Sequence, residues 1–401
     1  MASNELMLNV VFVGHVARLS GGELALLRTL PALLPHVCAT VVLAETGPLV
    51  AALQELGVRV IVLPLADTVR DARRTQVTTR SVALRDAREL SCYVLRLARL
   101  LRSLKADVVH TNTLKAALYG GLAGRLAGVP VVWHVRDRIA PDYLPRSAVA
   151  LVRGLARVLP TAVIANSHAT LQTLPTRGRW GGLRGTVVHN AMVPDSVVRP
   201  AVAADRPHDA LTIGVVGRLS PWNGQHVFLA ALAEAFGEPP VRARLIGSAM
   251  FGEQAYEVAL QAQIQQLGLQ ERVELRGFRE DIWAELAELD LAVHCSTLPE
   301  PFGQVVLEAM AAGVPIIASA EGGPAEIIRH GVDGWLVPPR DPAALAAAML
   351  HLAGDRDLRA RLVAEGRRTA AAYTAERTSA GILRVYRLML GQRRGRLLTR
   401  R

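Results

Sequence analysis

Two glutamates stand eight positions apart in PEPFGQVVLEAMAAG, residues 299–313: Glu300 lies between two prolines and Glu308 inside an apolar run. A carboxylate accepts through two oxygens, which suits the neighbouring hydroxyls of a sugar or a ribose. Pro299 and Pro301 continue neither a strand nor a helix, so Glu300 belongs to a rigid extended loop. Gly303 permits a tight turn, and the residues from Gln304 read as a helix ended by Gly313 and Pro315. Val305, Ala309 and Ala312 form its expected buried stripe, with Glu308 at the edge of the stripe on the side of Gln304. Free amides at the start of a helix attract anions. Glu308 follows Gly303 by about 8 Å along the axis, at ~1.5 Å per residue. A nucleotide sugar, with hydroxyls at both ends and phosphates between, fits that layout. Spacing alone fits equally well a surface helix with two solvated glutamates.

Composition narrows the setting for such a site. With 401 residues, 51% of them hydrophobic, the chain supports two domains and is not a disordered sequence. Its three cysteines, Cys38, Cys92 and Cys295, are scattered, which argues against a disulfide framework or a cysteine zinc site and fits a reducing cytoplasm. The opening MASNELMLNVVFVG lacks the basic region of a signal peptide. The most apolar long stretch, SAVALVRGLARVLPTAVIA, is broken by Arg153 and Arg157 and falls short of a membrane span.

A net charge of +11 points to an anionic partner. Aromatics at 4% and the lack of any zinc-finger or RNP-like pattern disfavour nucleic acid. Arg85, Arg88, Arg96, Arg99 and Arg102 recur so as to share one face of a helix, and the tail GQRRGRLLTRR is also basic. Either segment suits a solvated surface or peripheral contact with an anionic inner membrane face.

The elements that must hold the site are legible as alternation. LNVVFVG (8–14), ATVVLA (39–44), RVIVLP (59–64), DVVHTN (107–112), VPVVWHV (129–135), TAVIAN (161–166) and TVVHN (186–190) read as buried strands, most of them separated by helical stretches. The proline-bearing segment 192–209 reads as a linker. The pattern then restarts with LTIGVVG (211–217), RARLIG (242–247), RVELRG (272–277), LDLAVHC (289–295), VPIIAS (314–319) and GWLVP (334–338). Two doubly wound α/β domains facing each other across a cleft are expected, over 1–200 and 201–375. Residues 376–401 supply a last helix that could return to the first domain, and the basic tail. Neither GxxxxGK[ST] nor GxGxxG after the first strand is present, which removes support for NTPase and NAD readings. The DxD at Asp355-Arg356-Asp357 lies in a helical, charge-rich stretch and is not expected to bind metal.

EPFGQVVLEAMAAGVPIIAS, followed by EGGPAEIIRHGVDGWLVPP, resembles the hallmark region of family 4 glycosyltransferases, retaining enzymes with the GT-B fold of two Rossmann-like domains. The likeness runs over nearly the whole chain. GRLSPWNGQHVFLAAL (217–232) resembles the family's first donor-domain turn and VARLSGGELALLRTL (16–30) its N-terminal glycine loop; HVRD (134–137), ANSHAT (165–170) and HNAMV (189–193) sit where the family has comparable pieces.

The resemblance implies roles. Glu308 binds ribose hydroxyls. Glu300, with the backbone of Phe302 and Gly303, holds the donor sugar. The amides of Gln304 and Val305 face phosphate, Arg218 neutralises the leaving diphosphate, and Gly21 and Gly22 let the backbone approach that phosphate. His134 faces the donor sugar, although a strand-end core histidine is the plainer reading. One departure stands out: many members end the first donor-domain turn in Lys-Gly, whereas this chain has Trp222-Asn223-Gly224. Replacing the lysine forfeits a charge-assisted contact worth on the order of 1.5–3 kcal/mol.

The implied reaction moves a sugar from a nucleoside-diphosphate donor to an acceptor hydroxyl on a polysaccharide, glycolipid or small natural product. It retains anomeric configuration and needs no metal or other cofactor. A GT-B epimerase or phosphorylase, or a homologue that binds a nucleotide sugar without transferring it, are the competing readings. The loop IAPDYLP (139–145), with Tyr143, is a candidate wall for the acceptor.

Overall fold

The computed structural model describes residues 7–66, 84–175, 185–192, 211–237, 241–250 and 252–398. The chain divides into two compact units, one made of Met1–Ala191 with Ala375–Arg401, the other of Met192–Thr374.

In the first unit the strands are β1 (Leu8–Gly14), β2 (Val37–Leu43), β3 (Arg59–Val62), β4 (Val108–Thr111), β5 (Val131–Val135), β6 (Ala162–Ala165) and β7 (Thr186–Val187). They form one parallel sheet in the order β3-β2-β1-β4-β5-β6-β7. In the second unit β8 (Leu211–Val216), β9 (Val241–Ile246), β10 (Val273–Gly277), β11 (Leu291–His294), β12 (Ile316–Ser319) and β13 (Trp335–Val337) form another, ordered β10-β9-β8-β11-β12-β13. Every strand expected from the sequence is present. In each sheet the winding reverses beside the first strand, between β1 and β4 and between β8 and β11. Ligands of doubly wound sheets bind beyond the strand ends at that reversal.

Successive strand residues point to opposite faces, and both faces of each sheet are covered. In β1, Val11 and Val13 join the core that includes Trp133 and Leu97, while Val10 and Phe12 join the core that includes Leu30 and Leu33. The second sheet divides likewise, with Ile213 and Val215 in one cluster and Ile246 and Ala292 in the other. The Ala375–Leu398 helix completes the first unit: Ile382, Leu383, Val385, Tyr386 and Met389 are buried with Val10, Phe12 and Leu30. Thr378 and Ser379 fasten its start by donating to the carbonyls of His189 and Ala32, at 2.9 and 3.0 Å.

The arginine-bearing helix, Leu84–Ser103, buries Tyr93, Val94, Leu97, Ala98 and Leu101 and exposes Arg88, Arg96, Arg99 and Arg102. Arg96 donates to the Pro64 carbonyl at 3.0 Å and Arg102 to that of Leu126. The side chains of Arg85 and of the tail beyond Gly391 lie outside the described residues, as does the 192–209 segment apart from Met192. Asp355 accepts from the Leu358 amide at 2.8 Å and so caps the Arg356–Ala371 helix, whose first turn carries Asp357. Among the described residues no helix is long and apolar enough to cross a membrane.

Candidate active site

In the second unit the carboxyl ends of β8 and β11 carry the predicted residues. Beyond β11 the chain runs through Ser296 to Glu300, whose carboxylate is bonded by His294 Nε2 and by Ser296 Oγ at 3.3 Å. Burial raises the Glu300 carboxyl, but the charge and hydrogen bond of His294, with lesser help from Ser296 and the Gly303 backbone, hold it below the usual carboxylate range. His294 ends a strand six residues before Glu300, and the sequence reading passed over it. The signal was present: a polar residue near the carboxyl end of the apolar run LDLAVHC.

The backbone that presents Glu300 is locked by Gly322 and Gly323, which follow β12. The Gly323 amide donates to the Glu300 carbonyl at 2.8 Å. A Cβ on Gly322 would stand 2.3 Å from the Glu300 carbonyl oxygen, and one on Gly323 2.1 Å from that of Phe302. The EGGP signature is therefore a packing requirement of the Glu300 loop. Phe302 is buried, edge-on to Tyr373 with ring centroids 6.1 Å apart. Gly303 caps the Gln304–Ala312 helix at φ +90°, a conformation that favours glycine.

That helix departs from the expected stripe. Val305 is only half-buried, while Val306, Leu307, Glu308, Ala309, Met310 and Ala312 are buried. The reason is lateral packing: the helix touches the Ile282–Ala287 and Arg356–Ala371 helices as well as β11 and β12, so burial wraps beyond one face. Glu308, 6% exposed, lies within that buried set rather than at its edge. Gln304 Nε2 reaches Met192 Sδ at 3.4 Å.

At the end of β8, Gly217 precedes Arg218, whose guanidinium stacks over the Trp222 ring 4.9 Å from its centroid. Asn223 lies in the Pro221–Asn223 turn and donates to the Arg218 carbonyl at 2.7 Å, beside Gln225 Nε2 at 3.0 Å. Part of the donor capacity assigned to Asn223 thus goes to shaping the Arg218 loop. The next residue needs to be glycine: φ is +74°, and a Cβ on Gly224 would stand 1.9 Å from the Cys295 carbonyl oxygen.

In the first unit Gly21 opens the Gly21–Leu33 helix just beyond β1. A Cβ on Gly21 would meet nothing within 4 Å, and one on Gly22 would make only ordinary contact with Arg136 Cδ at 3.5 Å. Nearby, Arg136 donates to Asn112 Oδ1 at 3.1 Å and to Asn190 Oδ1. Burial lowers Arg136 to about 10, against the pull of Glu23, and burial also raises Glu23, which accepts from Ser20. His134, in β5, is 1% exposed and joins this network through Nδ1. Tyr143, the proposed acceptor-loop residue, donates to Asp137 at 3.1 Å. The sequence reading did not single out Arg136, Asn112 or Asn190, although HVRD and HNAMV contain two of them. Among the described residues no group of three or more His, Cys, Asp or Glu is placed to hold a metal ion.

Residues 202–369 match the family described as Glycosyl transferases group 1, and residues 48–195 match Glycosyltransferase Family 4. A D-inositol 3-phosphate glycosyltransferase from Thermobispora bispora is 31% identical over 316 residues, 73% of each chain. HepE of Anabaena, crystallised with UDP and glucose, superposes with a TM-score of 0.80 at 28% identity, over 94% of this chain and 98% of its own. Sucrose-phosphate synthase from Thermosynechococcus elongatus shares the fold at 19% identity, with a TM-score of 0.76 over 96% of this chain and 100% of its own. The two parallel Rossmann-like sheets agree with these comparisons: the chain belongs to the family 4 glycosyltransferases of the GT-B fold.

Proposed function

We propose that the protein transfers a hexose from a nucleoside-diphosphate sugar to an acceptor hydroxyl, with retained anomeric configuration and without a metal. The observation that carries the reading is the β11 end of the second sheet, where an ionised Glu300 is fixed ahead of a glycine-capped helix that carries a buried Glu308. Glu300, with the Phe302 and Gly303 backbone, holds the sugar hydroxyls, and Glu308 accepts from the ribose. The amides of Gln304 and Val305 face phosphate. Arg218, oriented by Trp222, opposes the charge that grows on the leaving diphosphate, the work a metal ion does elsewhere. In the first unit the open space at Gly21, with Gly22 beside it, admits a phosphate oxygen against the backbone, and His134 meets a sugar hydroxyl.

Glu300 is committed to His294 and Ser296, which suits holding a sugar better than attacking it. Front-face attack by the acceptor is therefore the favoured course, the leaving phosphate taking the acceptor's proton. The HepE complexes with UDP, glucose and UDP-glucose support a uridine donor. The inositol phosphate relatives make a phosphorylated polyol a sensible first acceptor to try. The exposed arginine face of the Leu84–Ser103 helix suits contact with an anionic membrane surface, which vesicle flotation tests directly.

The decisive experiment is thermal unfolding with UDP, GDP, ADP and TDP, each with EDTA and with magnesium, followed by turnover of the matching sugar nucleotide. A specific diphosphate at a hundred times its Kd adds about 2.7 kcal/mol. A shift with one base that survives EDTA, followed by product of the donor's anomeric configuration, is expected. No shift with any diphosphate overturns the reading, and binding without turnover assigns the chain to non-catalytic nucleotide-sugar binding.

A further inference from the structure

Three buried side chains from distant parts of the chain form one hydrogen-bonded line in the first unit. Tyr386 of the C-terminal helix lies with its hydroxyl 2.6 Å from His110 Nδ1, and His110 Nε2 lies 3.0 Å from His134 Nδ1. All three are at most 1% exposed. The far nitrogen of the line, His134 Nε2, is buried and has no hydrogen-bond partner among the described residues.

The direction of the line follows from its neighbour. Arg136 reaches the same His134 Nδ1 at 3.3 Å. A guanidinium has only N–H groups to offer, so that nitrogen must present its lone pair. His110 then donates through Nε2–H, its Nδ1 accepts, and Tyr386 is the donor to it. The opposite order would set a His134 Nδ1–H against the Arg136 N–H. Both rings are neutral: burial, then Arg136, lowers His110 to about 3, and burial, Arg136 and His110 lower His134 far below its ordinary value. Phe12, its ring centroid 4.9 Å from that of His110, shields the line on one side.

We infer that Arg136 and the Tyr386–His110 relay together hold His134 as its Nε2–H tautomer, Tyr386 being a positioning residue that acts through His110, so that His134 meets its ligand as a hydrogen-bond donor to oxygen and not as a base. Only the identity of that oxygen, a donor-sugar hydroxyl, rests on the function proposed above. The tautomers themselves are a property of the protein alone.

Long-range 1H–15N NMR of the full chain labelled at histidine reads them without any ligand. Resonances are assigned by the single variants His110→Gln and His134→Gln. Expected at pH 7 are two neutral rings, each protonated at Nε2 and bare at Nδ1. A His134 ring protonated at Nδ1, or charged, overturns the inference.

Tyr386→Phe keeps the buried ring and removes only the O–H. It is expected to let Nδ1–H forms appear at His110, which loses its donor, and to lower kcat by about tenfold, comparable to the low end of losing an orienting partner behind a ligating histidine. His110→Gln, whose amide N–H stands in for Nε2–H, should keep His134 in the Nε2–H form. A Tyr386→Phe spectrum identical to the wild type overturns the role of Tyr386. Addition of UDP-glucose then separates the two claims. Movement of the His134 Nε2 resonance supports both, whereas unchanged resonances with the expected tautomers leave the relay standing and remove the sugar from His134.

Discussion

Gly21 and Gly22 in the first unit face open or ordinary space, whereas Gly322 and Gly323 in the second lie 2.1–2.3 Å, measured from a Cβ they do not have, from the backbone oxygens of Phe302 and Glu300. The histidines differ in parallel. His110 and His134 are kept neutral by burial beside the half-buried Arg136, and His294 is paired with a carboxylate. The second unit spends its glycines on fixing a protein loop and its histidine on keeping an anion ionised. The first unit spends its glycines on room and its histidines on a directed N–H. The same residue types, at equivalent ends of equivalent sheets, therefore do different physical work.

The sharpest way to break this comparison is alanine in each glycine pair. Gly323→Ala should destabilise the second unit by about 3 kcal/mol or more, seen in denaturant unfolding, because backbone must move. Gly21→Ala should leave stability unchanged or raise it by about 0.5–1 kcal/mol, since the site begins a helix, while turnover falls. Equal loss of stability in the two variants would end the distinction.

Next in size are Arg218→Ala and Glu308→Ala. Each should lower turnover at least tenfold, about 1.4 kcal/mol of transition-state stabilisation. Full activity in either variant removes that residue from the site.

His294→Ala leaves Glu300 with its burial and Ser296 but without its main partner. The carboxyl should rise, and the acid limb of kcat/KM should move to higher pH. An unmoved limb would mean that Glu300 does not need its charge.

A further test is stability against pH. His110 and His134 bind protons less readily when folded than at about 6.5, their unfolded value. Above pH 6.5 neither state is protonated there. Below it the unfolded chain takes up protons that the folded chain refuses, so stability should fall as pH drops from about 6.5 towards about 3. Glu300, lowered when folded, adds its own loss only below the ordinary carboxylate range. Melting temperatures between pH 7.5 and 5 check the first window, and His110→Gln should flatten it.

The strands were readable because each is a short apolar run between turn residues, and burial on both faces leaves no other use for LNVVFVG or VPIIAS. Glu300, Gly303 and Glu308 were readable because they stand within a single loop and helix whose breakers are local. The long-range side-chain contacts were not. Val305 was misplaced because a helical wheel knows one buried face, while this helix is flanked by two others. The link from Tyr386 to His110 spans 276 positions and appears only once the last helix packs beside β1 and β4. The hydrogen bond from Asn223 to the Arg218 carbonyl was hidden because it depends on the turn's closure.

The return of the Ala375–Leu398 helix to the first unit also sets a schedule for synthesis. The second unit is continuous and is complete once Thr374 has emerged from the ribosome. The first begins earlier but waits for Ile382, Tyr386 and Met389, which belong to its core. At ~5–20 residues per second, the stretch between Ala191 and Ala375 takes about 10–40 s to make. Throughout that time the apolar face around Val10, Phe12 and Leu30 lacks its cover, so the unit begun first is the one finished last.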